Sequence, residues 1–265
     1  MGLGETAMDP ELLQALSNGV APAGERIAIA LRRAVTLRLF RDDRLPPERE
    51  LASLFGVSRI TVRQAIRTLR EEGRVRSVSG RGGGTYQVMS PPLGHWRRQT
   101  DVARQELMDV VEFRSLIEPL AARLAAPRAT RTLVLRLQGT VEELASSTRL
   151  EGFRHADSLF HLFIAESAGN ARLLQTLLQA RADFLLWRDR LPIPLVPGTN
   201  VSEHVAVLDA LRARDAQAAE AAMAAHLETT RADFRREIRR LGQRSTTSRR
   251  SRLASHAALT ERRRV

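Results

Sequence analysis

Residues 45–73 read LPPERELASLFGVSRITVRQAIRTLREEG, and the reading of this stretch decides the front half of the fold. Ser58 is placed to cap a helix, its hydroxyl free to accept from the amide of Thr61, and Gly73 supplies the stop. Between them Val62, Ala65, Ile66 and Leu69 recur at helical spacing and form one apolar face. Arg59, Arg63, Arg67 and Arg70 fall on the neighbouring face, with Thr61 at its edge. A shorter helix, roughly Glu48–Phe55, precedes it with Leu51 and Leu54 inward, and the small Ala52 and the turn residue Gly56 permit a close crossing. The pattern predicts a helix-turn-helix whose exposed face carries guanidinium groups suited to the major groove of DNA. A solvated arginine face on an ordinary helical hairpin would leave the same trace in the sequence.

Working outward, ERIAIALRRAVTLRLF (25–40) reads as a helix with Ile27, Ala30, Leu31 and Ala34 on one side. Asp42, Asp43 and Leu45-Pro46-Pro47 end it. Beyond Gly73, two short alternating segments, 74–77 and 85–89, flank the glycine-rich SGRGGG, a hairpin signal. Helix, helix-turn-helix and hairpin in that order make a winged helix, with Arg81 at the wing tip placed to enter the minor groove. A phosphate-cradling nucleotide loop is the competing reading of the glycines, but neither a helix start nor a P-loop lysine follows them.

All 42 basic residues are arginine, and the net charge of +12 is unevenly spread. Residues 24–90 carry 14 Arg against 7 Asp/Glu, 91–234 carry 17 against 18, and 235–265 carry 11 against 2. A basic block joined to a near-neutral body suggests a nucleic-acid module joined to something else. Cysteine is absent, which excludes disulfide and thiol chemistry. No apolar run reaches membrane-spanning length and the N-terminus lacks a signal-peptide pattern, so a cytoplasmic protein with no membrane partner is expected.

Residues 1–23, only weakly periodic at Leu12, Leu13 and Leu16, read as a flexible leader, and 24–90 as the winged helix-turn-helix domain. Residues 91–100, opening Pro91-Pro92-Leu93-Gly94, read as a linker. Residues 101–241 are almost continuously helical in pattern, with breaks that imply six or seven helices in an all-α antiparallel bundle. Residues 242–265, Ser/Thr/Arg-rich without a core face, are expected to be disordered.

Within the bundle, Asp157 and His161 stand four apart and project from one helical face. His204 and His226 each lie about eleven residues from a turn at Arg214-Asp215, so an antiparallel hairpin brings them level. One carboxylate and three imidazoles could hold a divalent metal with open coordination positions. Spacing alone equally allows four residues that never meet. His95, His155 and His256 fit such a site less well, His155 because it lies two residues from Asp157 and so on another face.

PPERELASLFGVSRITVRQAIRTLREEG followed by GRGGG resembles the winged-helix domain of the GntR-type bacterial transcription regulators. EFRSLIEPLAARLAA (112–126), DSLFHLFIAESAGN (157–170), Glu203-His204 and the Ala-rich helix ending in His226-Leu227 resemble the effector domain of the FadR branch, called FCD. The resemblance covers roughly residues 24–240. It implies DNA contacts from Arg49, Ser58, Arg59, Thr61, Arg63, Gly80 and Arg81, and metal ligation by Asp157, His161, His204 and His226. It also implies that Arg114, in EFR, reaches toward the metal to receive a small carboxylate. Arg74 departs from the pattern, since relatives usually carry an aliphatic residue after the helix-ending glycine.

The function expected is that of a homodimeric, ligand-responsive transcription factor, a repressor in the first instance. It would bind double-stranded, near-palindromic operator DNA and sense a small organic acid through a divalent metal, with zinc placed first and nickel, iron or manganese also compatible. Two alternatives stand beside it: a metal-dependent hydrolase acting on nucleic acid, and a regulator whose metal is only structural.

Overall fold

The structure, a computed structural model, describes residues 10–17, 21–40, 43–88, 100–189, 191 and 200–262, the last from 242 onward as backbone only. The front domain contains helices α1 (Pro10–Leu16), α2 (Ala23–Thr36), α3 (Glu48–Phe55) and α4 (Arg59–Glu71), then strands β1 (Val75–Val78) and β2 (Gly84–Gln87). The rear domain is all helical: α5 (Thr100–Ala125), α6 (Arg131–Ser146), α7 (Leu150–Ser167), α8 (Ala171–Arg188), α9 (Val201–Arg212) and α10 (Ala216–Arg262). A single 3-10 turn, Ala126–Arg128, joins α5 to α6. The expected winged helix-turn-helix and six-helix bundle are therefore both present.

Local chemistry explains the front domain. Gly56 ends α3 in the left-handed region (φ 63°), a conformation that a side chain would strain. The Ser58 hydroxyl accepts from the amide of Thr61 at 3.1 Å and starts α4. Val62, Ala65, Ile66 and Leu69 are buried, as their spacing requires. The strands pair antiparallel with Val75 opposite Gln87 and Val78 opposite Gly84. Each begins one residue from its expected start, the glycine-rich turn having absorbed the difference. Arg74, the residue out of pattern, stays half-buried and turns to Glu72 (2.9 Å) and the Thr36 hydroxyl (3.3 Å), which leaves Val75 to fill the strand's core position. Removing the cap with Ser58→Ala should cost about 1 kcal/mol of stability. A urea midpoint unchanged by the substitution would show that packing alone fixes the start of α4.

Three differences from the sequence reading concern the ends of the elements. The leader is in part a structured element: Leu12, Leu13 and Leu16 on α1 are fully buried, and α1 packs on α2 and on α8 of the bundle. Three leucines in seven residues show no convincing period by themselves, and burial comes only from the two helices that cover them. Asn170, which in SAGN reads as the turn residue closing the helix before it, is instead the N-cap of α8, its side-chain oxygen accepting from the amides of Arg172 and Leu173, while Gly169 (φ 71°) makes the turn. The backbone of α10 continues helical to Arg262, through the stretch expected to be disordered. The expected linker lies, apart from residue 100, outside the described residues, as does most of the proline-rich segment before α9. Among the described residues no helix is long and apolar enough to cross a membrane.

Candidate functional site

The seven residues marked for DNA contact belong to α3, the turn into α4, α4 itself and the tip of the β1–β2 hairpin. Arg49, Ser58, Arg59, Arg63, Gly80 and Arg81 are exposed and Thr61 is half-buried at the edge of the apolar face. The Arg63 guanidinium donates to both carboxylate oxygens of Glu48, the closest contact being 2.8 Å, and this pairing raises its pKa. The fork is thus aimed across the mouth between α3 and α4 and keeps its charge. The Ser58 hydroxyl is occupied by its capping role and by Thr61 Oγ1 at 2.9 Å. Gly80 (φ 95°) and Gly82 (φ 82°) carry the chain around the wing tip and present Arg81 outward. A side chain at Gly83 would meet the Val78 carbonyl oxygen at 2.6 Å, so the tight tip demands glycine there.

In the bundle, α7 supplies Asp157 and His161, α9 supplies His204 and α10 supplies His226. The three imidazoles are buried and meet: one ring nitrogen from each lies within 4.8 Å of the others. Ring centroids are 4.5 Å apart for His204 and His226, 5.2 Å for His161 and His226, and 5.6 Å for His161 and His204. Asp157 stands at the rim, its Oδ1 3.4 Å from His204 Nε2 and 3.7 Å from His161 Nε2.

Each imidazole is held from behind through Nδ1. His161 Nδ1 lies 2.5 Å from Glu118 Oε2, His204 Nδ1 lies 2.8 Å from the Asn200 carbonyl oxygen, and His226 Nδ1 lies 2.9 Å from Glu203 Oε2. An acceptor at Nδ1 of His204 and of His226 fixes the tautomer in which Nε2 carries a lone pair. Nε2 of His204 and both ring nitrogens of His161 are buried without a hydrogen-bond partner, the approach of His161 Nδ1 to Glu118 Oε2 being a close contact without hydrogen-bond geometry. Two orphaned lone pairs beside a carboxylate are an expensive arrangement in a core unless something electropositive sits between them. The donor set therefore fits a divalent metal.

Burial, more than the surrounding charges, keeps His161 and His226 unprotonated. Burial pushes His161 down to about 3, and the neighbouring Arg181 guanidinium adds to this against the pull of Glu118 and Asp157. Burial lowers His226 as well, although Glu203 opposes it. For Asp157 and Glu118 burial works toward protonation, but the facing guanidiniums win and hold both carboxyls well below the usual range: Arg181 for Asp157, Arg114 and Arg181 for Glu118.

Arg114 is buried, with its Nε on Glu118 Oε1 at 2.5 Å and its guanidinium 4.5 Å from the centre of the Phe184 ring. It makes a helical-spacing ion pair with Glu118, both side chains lying in the core rather than at the surface. Through Glu118 it supports His161, and among the described residues its two terminal nitrogens have no hydrogen-bond partner.

Two residues of this network escape sequence reasoning. Arg181 of α8 is 1% exposed and donates to Asp157 Oδ2 and, at 3.3 Å, to the Asp157 carbonyl oxygen. Glu118 is readable only as a partner for Arg114. An arginine inside LLQARADFLL looks like any solvated helical residue, and only the buried carboxylates across from it explain its place. His155 indeed faces elsewhere, its Nδ1 2.5 Å from the carbonyl oxygen of Arg38 in the front domain. The side chains of His95 and His256 lie outside the described residues.

Two family models match the chain: "Bacterial regulatory proteins, gntR family" over residues 23–84 and "FCD domain" over residues 109–229. The chain is similar to the Uxu operon transcriptional regulator of Escherichia coli (strain K12), 32% identical over 205 residues that cover 71% of this chain and 77% of that protein. It is also similar to the galactonate operon transcriptional repressor of the same strain, 28% identical over 190 residues covering 67% and 81%. Among solved structures it is similar to Streptococcus agalactiae GntR, at 27% identity and a TM-score of 0.42 over 78% of this chain and 98% of that one. With a DNA-reading domain and an effector domain joined in this order, the chain belongs to the GntR family of bacterial regulatory proteins and is a DNA-binding transcription regulator rather than an enzyme.

Proposed function

We propose that the chain is a metal-containing, acid-sensing repressor that works as a homodimer. Asp157, His161, His204 and His226 hold a divalent cation, zinc in the first instance, with nickel, iron and manganese suited to the same nitrogen and oxygen donors. The observation that carries this reading is the convergence of three anchored imidazoles with two buried, partnerless Nε2 atoms. Four protein donors leave positions open on a metal that accepts five or six ligands. Asp157, Glu118 and Glu203 against Arg114 and Arg181 leave the pocket one negative charge, so a divalent ion makes it +1 and one carboxylate neutralises it. The terminal nitrogens of Arg114 are free to receive that carboxylate, and a guanidinium fork suits it. The galactonate operon, whose repressor is a relative, is named for a hydroxy acid of this kind.

On the DNA side, Arg59 and Arg63 suit guanine edges, while Arg49, Ser58 and Thr61 suit phosphates that fix the register. Gly80 and Arg81 carry the wing to the minor groove. Two copies related by a twofold axis would read a near-palindromic operator. An apolar stripe on α5, Phe113, Leu116 and Leu120, is left exposed in the single chain, Leu116 by 71%, as a surface that pairs with another copy would be.

The test is a titration of zinc-loaded protein against DNA selected from a random pool, with lactate, galactonate and glycolate as probes. At least one hydroxy acid should change DNA affinity by about tenfold, a coupling of roughly 1.4 kcal/mol. The same affinity with every acid, on protein shown to hold its metal, would reduce the metal to a structural part.

A further inference from the structure

A cleft of about 410 Å³ lies at the junction of the two domains, away from the histidines. Arg38, Asp43 and Gln87 of the front domain wall one side; Glu143, Ser147 and His155 of the bundle wall the other. Its volume is that of a small-molecule site, and polar and apolar atoms share its lining about equally.

Arg38 and Gln87 are 3% and 5% exposed. Arg38 Nη1 and Gln87 Nε2 both donate to one oxygen, Asp43 Oδ1, at 2.9 and 2.7 Å. A single shared acceptor thereby holds the guanidinium and the carboxamide side by side. Each is left with one buried polar atom that has no partner: Arg38 Nη2, a charged donor, and Gln87 Oε1, an acceptor. Unmet buried groups are rare in folded chains, and an adjacent donor and acceptor on a cleft wall ask for a ligand that offers the complement of both. Across the cleft Arg149 lies 3.6 Å from Glu151, whereas Glu143 has no ion-pair partner among the described residues. The backbone beside it is bare: a Cβ on Gly152 would stand 2.9 Å from Ser147 Oγ and 3.9 Å from Glu143 Oε1.

We propose that this junction cleft binds a small zwitterionic amino acid, its carboxylate on Arg38 Nη2 and its ammonium between Gln87 Oε1 and Glu143. A simple carboxylate would satisfy Arg38 Nη2 but add to the negative charge of Asp43, Glu143 and Glu151 in the lining, and a simple amine would leave Arg38 Nη2 unmet. An occupant joins the two domains, because its partners come from both. His155, which closes the cleft by its contact with the Arg38 carbonyl oxygen, lies on α7, the helix that carries Asp157 and His161. Occupancy therefore restrains the DNA-reading domain against the bundle and changes operator affinity.

The experiment uses full-length protein stripped of metal on a chelating resin, with the twenty L-amino acids as separate probes and acetate and methylamine as half-ligand controls. At least one amino acid should raise the melting temperature and shift DNA affinity, with both half-ligands inert at the same concentration. Glu143→Gln, a half-exposed conservative change, should weaken that amino acid by about tenfold or more. His161→Ala should bind it as the parent does. Failure of all twenty, equal stabilisation by acetate or methylamine, or unchanged affinity in Glu143→Gln would each overturn the assignment. Loss of binding in His161→Ala would move the ligand to the metal pocket and overturn it equally, whereas the hydroxy-acid titration stands or falls independently on metal-loaded protein.

Discussion

Changing His204 to alanine is expected to weaken divalent metal binding by more than about 100-fold, since loss of an outer-shell partner alone costs 10- to 100-fold. His204 is the imidazole closest to both other ligand groups, 4.5 Å from the His226 ring centre and 3.4 Å from the Asp157 carboxylate. Its removal takes one of two orphaned Nε2 atoms and leaves His161 alone against Asp157. Glu118→Gln should fall in the outer-shell range, because the amide keeps the shape but loses the charge that orients His161 through Nδ1. His155→Ala should leave metal affinity untouched, its ring nitrogen being spent on the Arg38 carbonyl oxygen. Competition against a chromophoric chelator measures all three. Parent-like zinc affinity in a folded His204→Ala protein would remove that histidine from the donor set.

What the sequence discloses follows from whether an element's logic is local. The α3–α4 pair is legible because cap, apolar period and stop all sit inside 29 residues and agree with one another. The meeting of His161, His204 and His226 is legible only in part: a hairpin turn at Arg214-Asp215 levels His204 with His226, spacing alone also allows residues that never meet, and the resemblance to the FCD domain tips the reading. The outer ring is of another kind. Glu118, Arg114 and Arg181 are buried only because they compensate one another across α5, α7 and α8, and no window of the sequence contains that pairing. Helix α1 fails for the same reason, its three leucines owing their burial to α2 and α8. Asn170 misleads differently, since the residue after a turn-forming glycine can close one helix or open the next, and the two bonded amides decide for opening.

Stability in the absence of metal should fall as the pH drops below about 6.5, by roughly 1.4 kcal/mol per pH unit for each buried histidine that stays neutral. The sign follows from where the proton binds. His161 titrates at about 3 in the folded chain and at its ordinary 6.5 when unfolded, so between those values the unfolded chain carries a proton that the folded chain refuses. Its contribution is present above the unfolded value and is lost progressively down to the folded one. His226 is displaced in the same direction. The physical cause is burial of the ring, which penalises the charged imidazolium. The Arg181 guanidinium beside it adds to the shift and outweighs, with burial, the opposing pull of Glu118 and Asp157. The two carboxyls, also held low, add a second loss as the pH passes below the ordinary carboxylate range near 4. Urea unfolding of chelated protein between pH ~7 and ~5 should thus show a loss of about 1.4–2.8 kcal/mol over the last pH unit, for one or two such histidines. His161→Gln should flatten that slope by the share of one group. A bound metal should restore stability across the same interval, since a lone pair given to a cation is unavailable to a proton. Stability independent of pH over this range would mean that His161 and His226 accept protons in the folded chain, and with them that burial does not hold these two imidazoles neutral.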